Sequence, residues 1–139
     1  MNRRNCMSTQ ENKLFIRRYF DKFNQGGGTA VAHLVSDQHL KDHIAFFEGA
    51  FPGYQLNAKA MVAEGDKVVV DARMTGTHQG PLMEMPPTGK AVEVPLIIIY
   101  QLANGKIVDH TMVADRAGLM QQLGDVVESG RSGNSVFQA

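Results

Sequence analysis

The side chains that could carry chemistry in this chain of 139 residues are its five histidines, its carboxylates and one cysteine. Asp109 and Asp115 stand six residues apart in a segment with strand character, so the alternation of side chains puts them on one face. Asp109 closely follows an Asn-Gly turn and reads as an exposed strand residue. Asp115 follows Met112-Val113-Ala114 and precedes Arg116-Ala117-Gly118-Leu119, where an apolar strand meets a short helix. Two readings of it stand side by side. A carboxylate pointing into an apolar pocket there is a usable general acid or base near neutrality. An Asp just before a helix is also well placed to accept amide hydrogens as an N-cap. His78 divides the same way, between donating to a substrate oxygen and bonding the Gly80 to Gly89 loop.

Other constellations lose their force on inspection. His39 and His43 are four apart beside Asp42, a spacing that could set two imidazoles on one metal. No Glu follows the first His and no third ligand is evident, so a solvated helix face is expected there and no metal. Gly26-Gly27-Gly28-Thr29 lacks a preceding strand and a following Lys-Ser or Lys-Thr, which leaves a turn rather than a phosphate loop. A Gly-x-Ser-x-Gly elbow is missing. Cys6 has no partner for an intrachain disulfide and sits in a polar segment, which fits a reducing compartment. Fourteen basic and fourteen acidic residues, scattered and in balance, give no footprint for nucleic acid or an anionic membrane. The longest apolar run, Pro95 to Tyr100, falls far short of the ~20 residues a membrane helix needs, and no apolar stretch follows the basic N-terminus. The expectation is a cytoplasmic protein of one domain.

The elements that must position these residues follow from periodicity. Ser8-Thr9-Gln10-Glu11 is a capping box, and Leu14, Phe15, Ile16, Tyr19, Phe20 and Phe23 behind it form the apolar face of a helix that the glycine run ends. A short helix around Ala30 to Leu34 follows, then a second clear helix from a Ser36 or Asp37 cap to about Ala50, closed by Pro52-Gly53. Extended segments come next: Gln55 to Glu64, Lys67 to Gln79, Ala91 to Leu102 and Lys106 to Asp115. The third is apolar on both faces at Leu96 to Tyr100, which implies cover on both sides by helices or a second subunit. Arg116 to Leu123 predicts a short last helix. Helices followed by a meander make an α+β chain with an antiparallel sheet. Curved against the helices, that sheet encloses a pocket for which Tyr19, Phe20, Phe46, Phe47 and Phe51 are the natural lining, unless they only fill the core. The expected organisation is an N-terminal segment over 1–8, the domain over 9–124, and a flexible tail or partner-binding arm over 125–139.

Several short strings recur in one order. They are Phe51-Pro52-Gly53-Tyr54, Glu64-Gly65-Asp66-Lys67-Val68, Gly76-Thr77-His78-Gln79-Gly80, Pro87-Thr88-Gly89-Lys90, Asn104-Gly105-Lys106-Ile107-Val108, and Asp115 with Gln122-Leu123-Gly124. Over about Asn12 to Gly124 the chain thereby resembles the SnoaL-like polyketide cyclases of the nuclear-transport-factor-2-like superfamily. The resemblance implies a cone-shaped α+β fold with a curved antiparallel sheet and a deep apolar cavity, a dimer or larger homo-oligomer, and no metal or organic cofactor. It implies an acid–base carboxylate at Asp115 and an intramolecular aldol ring closure on a polyketide ester. Asp115 would take a proton from a carbon flanked by carbonyls, and His78 would donate to a substrate oxygen.

Two positions depart from the family pattern. Thr111 stands where an aromatic, commonly Trp, often follows the residue matching His110, and Gln101 where related sequences often carry Arg or His. Both count as candidate substrate contacts. A two-residue loop at Asn104-Gly105 pairs Tyr100 with Asp109, whereas a bulged turn sets Gln101 opposite Ile107. The expected ligand is a small apolar carbonyl compound. Two further readings remain: a non-catalytic binding or assembly module of the same fold, and an epoxide hydrolase built on Asp71 and Arg73, which alternate on one strand face.

Overall fold

The computed structural model describes residues 8–124 together with Phe137 and Gln138. Helix α1, Thr9–Val31, opens on the expected capping box: Ser8 Oγ accepts from the Glu11 amide at 3.0 Å and Glu11 Oε1 from the Ser8 amide at 2.9 Å. The glycine run breaks the helix at Gly27, whose φ of 73° only glycine adopts without strain, and the Glu48 carboxylate accepts the next amide, from Gly28, at 2.9 Å. Helical turns then resume to Val31, and the expected short helix is a 3-10 turn over Ala32–Leu34. Helix α2, Gln38–Ala50, is capped by Asp37, whose Oδ1 accepts from the Leu40 amide at 3.3 Å.

Four antiparallel strands follow in sequence order: β1 Gln55–Glu64, β2 Lys67–Thr77, β3 Ala91–Ala103 and β4 Lys106–Ala114. Helix α3, Arg116–Gln122, comes next, and the two-residue β5, Phe137–Gln138, pairs with β4. The curved sheet wraps its inner face around the helices in an α+β cone. Residues 125–136, most of the segment expected to be a tail, lie outside the described residues, as does Cys6. No helix among the described residues is long and apolar enough to cross a membrane.

Period-two alternation decides which strand residues meet the core. On β3 Val92, Val94, Leu96, Ile98, Tyr100 and Leu102 are all buried, while Ile97 keeps 42% of its surface exposed. The expectation of cover on both faces of this strand is thus met on one face within the chain. Bulges reset the alternation twice, between Ala58 and Ala60 on β1 and beside Gln101/Leu102 in the β3–β4 pair. Asn104 and Gly105 both take positive φ, 54° and 75°, in a two-residue turn that pairs Ala103 with Lys106. The bulge after Ile107 then sets Gln101 opposite Asp109 and Tyr100 opposite His110, a register that neither sequence alternative contained.

Side chains of α1 tie down the edge of the sheet. Asn24 pairs with the Leu56 backbone, Nδ2 donating to the carbonyl and Oδ1 accepting from the amide, both at 2.8 Å, and so occupies the exposed side of β1. The buried Asn12 donates to the Gly65 carbonyl at the β1–β2 turn.

Candidate functional site

The cone encloses a cavity of about 130 Å³. An apolar cavity of roughly 150 Å³ suffices for benzene, so this one is on the scale of a single ring. Leu56 and Met74 line it from β1 and β2, Val94, Leu96, Ile98 and Tyr100 from β3, and His110, Met112 and Ala114 from β4. From the helical side come Tyr19, Leu40, His43, Ile44 and Phe47, and α3 closes the end with Leu119 and Met120. Phe46 and Met83 belong to the wall and are also about half exposed, so flexible side chains stand between the cavity and solvent.

Asp115 lies on the wall where β4 gives way to α3. It performs the capping role as well: Oδ1 accepts from the Gly118 amide at 2.9 Å. Oδ2 has no hydrogen bond among the described residues. A Cβ on Gly118 would collide with this carboxylate, which explains why a poor helix former occupies the first turn of α3.

Two histidines and an aspartate from two distant stretches of chain, α2 with its cap and β4, form a second polar group. His110 donates from Nδ1 to Asp37 Oδ2 at 2.7 Å, and its Nε2 lies 3.1 Å from His43 Nδ1. The His110 and Asp37 side chains are 4% and 8% exposed, so the pair is shielded from water and its geometry matters more than a surface ion pair's would. The two imidazoles meet edge to face with centroids 5.2 Å apart. Burial holds the His43 pKa below its ordinary value, His110 and His39 adding to the effect while Asp37 and Asp42 oppose it.

All three tyrosines of the chain, Tyr19, Tyr54 and Tyr100, line the cavity. Burial raises each of their pKa values; Asp37 adds to this at Tyr19, Tyr19 and Glu48 at Tyr54, and the other two tyrosines at Tyr100. They therefore stay protonated at neutral pH and can donate. Tyr19 and Tyr100 pack edge to face with centroids 5.7 Å apart.

The sequence-based site residues separate cleanly. Asp115, Tyr19 and Phe47 come together on the cavity wall. Phe20 and Phe51 are buried behind it, Phe20 edge-on to Tyr100 and Phe51 against His78, so they serve the core. His78 is fully buried away from the lining, and its Nδ1 accepts from the Thr88 amide at 3.1 Å. Its backbone bonds Lys90 and Gly89, so it fastens the Gly80 to Gly89 loop, and the expectation of a substrate donor is corrected. Gln101 and Thr111 occupy odd positions whose neighbours Tyr100, His110 and Met112 face inward; alternation turns both onto the outer face, and their assignment as substrate contacts is corrected too. Asp71 and Arg73 share that outer face in an ion pair of 2.7 Å, away from the cavity. His39 is exposed, and among the described residues no three His, Cys, Asp or Glu side chains converge to hold a metal.

Sequence reasoning missed Asp37, His110, Tyr54 and Tyr100. Asp37 read only as a helix cap, and the inward turn of His110 depends on a bulge that hydrophobic alternation does not announce.

The SnoaL-like polyketide cyclase model matches residues 5–123. The chain belongs to the SnoaL-like polyketide cyclase family. Solved structures share its fold. AclR from Streptomyces galilaeus, a candidate hydroxylase, superposes with a TM-score of 0.76 at 26% identity, covering 89% of this chain and 87% of that one. TsrD from Streptomyces laurentii gives a TM-score of 0.74 at 21% identity, with 86% and 99% covered. A candidate SnoaL-like polyketide cyclase from a Jannaschia species gives 0.73 at 23% identity, with 86% and 95% covered. The last two likenesses are of fold alone. No curated protein matches this SnoaL-like chain in sequence.

Proposed function

We propose that this protein is an acid–base enzyme that binds a small apolar carbonyl compound in the cone and uses Asp115 as its general acid and base, without a metal or organic cofactor. One observation carries the reading: a carboxylate on the wall of a mainly apolar cavity has one oxygen fixed by the Gly118 amide and the other unengaged among the described residues. In an aldol-type cyclisation Asp115 Oδ2 takes a proton from a carbon flanked by carbonyls. The enolate carbon attacks a second carbonyl of the same molecule, and the resulting alkoxide takes the proton back from Asp115. Atoms balance, and the enzyme returns to its starting state. A fixed carboxylate with a confined substrate contributes both general base catalysis and proximity.

The experiment is Asp115→Asn on a cyclisable polyketide ester. The expected outcome is a fall in kcat of about a hundredfold or more. Unchanged turnover and product distribution would contradict the role given to Asp115, whereas binding without turnover by the wild type would support the second reading, a non-catalytic ligand-binding module, which the capping bond of Asp115 favours. As part of the proposal the protein is cytoplasmic, binds neither nucleic acid nor membrane, and forms a homodimer through the outer sheet face that exposes Val62, Ile97 and Val108.

A further inference from the structure

The Asp37–His110–His43 chain ends at the cavity, and with both rings neutral its donors run in one direction. Ionised Asp37 can only accept, so His110 carries its hydrogen on Nδ1. With His110 neutral its Nε2 is an acceptor, and the hydrogen shared with His43 is donated by His43 Nδ1. His43 is left with its lone pair on Nε2, and no other hydrogen bond to His43 is found among the described residues. The ring belongs to the cavity wall. A neutral imidazole with a bare nitrogen at the edge of an apolar space lacks a donor partner. Its own buried relay has no need of one.

We infer that His43 is a second polar contact of this cavity, a proton acceptor for a weakly acidic hydroxyl, enolic or phenolic, carried by the ligand. The inference rests on the proposed function and narrows its substrate class to carbonyl compounds that also present such a hydroxyl. The proton step closes. The ligand O–H breaks as His43 Nε2–H forms, and His43 Nδ1–H breaks as His110 Nε2–H forms. The ligand becomes an oxyanion, His43 is neutral again, and the positive charge rests on His110 beside the Asp37 carboxylate. The oxyanion is then held by a charge-assisted hydrogen bond from His43 Nε2.

Several surrounding features favour this transfer. A charge left on His43 would face desolvation, His110 and His39, with Asp42 and Asp37 in partial compensation, whereas the relay delivers it to the ring that Asp37 touches. Tyr19, Tyr54 and Tyr100 keep their protons and share the same cavity, so none competes for the role of base. His43 and Asp115 both belong to the wall of this one cavity, so a single ligand can meet both.

The probe is para-nitrophenol, whose anion absorbs in the visible, with para-nitroanisole as the isostere that has no proton to give. Wild-type protein is expected to prefer the phenol by about tenfold or more and to raise its anionic fraction on binding, an effect lost as pH falls and His43 becomes protonated. His43→Gln and His43→Phe should abolish the preference and the spectral change. Asp37→Asn, which keeps a helix cap and an acceptor for His110, should retain binding but lower the anionic fraction, an outcome that a merely structural Asp37 would not give. Absent binding, equal affinity for the anisole, or phenol bound only in its neutral form would overturn the inference. Nitrogen-15 NMR of the unaltered protein tests it without substitution, since a hydrogen on His43 Nε2 rather than Nδ1 would overturn it too. Loss of phenolate binding with Asp115-dependent turnover intact would sink this inference alone; phenolate binding without such turnover would sink the proposed function and leave the relay standing.

Discussion

At Asp115 one carboxylate serves both a helix and a cavity, and substitution separates the two duties. Asparagine caps helices about as well as aspartate, so Asp115→Asn keeps the bond from the Gly118 amide and removes only the proton-accepting charge. Alanine removes both. The expected outcome is that Asp115→Asn melts near the wild-type temperature, whereas Asp115→Ala loses about 1 kcal/mol in denaturant unfolding. If asparagine destabilises as much as alanine, the carboxylate's charge and not its cap holds α3 in place. The residue scale also separates roles that the sequence left joined. His78 and Asp115 looked alike as polar residues near predicted loops, yet one fastens a loop by way of Thr88 and the other stands on the cavity wall.

At the scale of elements, the short α3 presents Asp115 at its cap and closes the cavity with Leu119. Gly118→Ala gains up to about 1 kcal/mol of helix propensity, but its methyl group displaces the Asp115 carboxylate and forfeits a cap of similar size. Stability is expected to stay within about 0.5 kcal/mol of wild type while turnover falls, as measured by unfolding and rate assays on one preparation. Helix and strand positions of this kind were legible in the sequence wherever a local rule decided them. The capping box at Ser8, the Asp37 cap and the Asn-Gly hairpin all depend on neighbours within a few residues. His110 was not legible in the same way, because one bulged residue in β4 decides that it faces inward. The relay from Asp37 to His43 was hidden more deeply, since β4 lies about seventy positions beyond α2 and no spacing rule links them.

The whole molecule folds around an interior that holds every tyrosine it has, and this fixes its behaviour in alkali. Burial raises the pKa of Tyr19, Tyr54 and Tyr100 above the ordinary value of 10.0, so the unfolded chain releases protons that the folded one retains. The stability is therefore complete below pH 10 and declines as pH rises beyond it. Tyrosinate absorbance and circular dichroism are expected to change together, in one cooperative step; tyrosines that ionise while the dichroism stays native would place them outside the core. The central claim concerns the space they surround, where a carboxylate moves a carbon-bound proton of a confined carbonyl compound. Its most direct measurement is solvent-deuterium incorporation at the carbon beside the carbonyl of a bound enolisable aryl ketone, followed by NMR with wild-type protein and Asp115→Asn. The account predicts exchange accelerated by the wild type and about a hundredfold slower or worse in the variant. Equal exchange in the two proteins, with the ketone bound in the cavity of both, would contradict it.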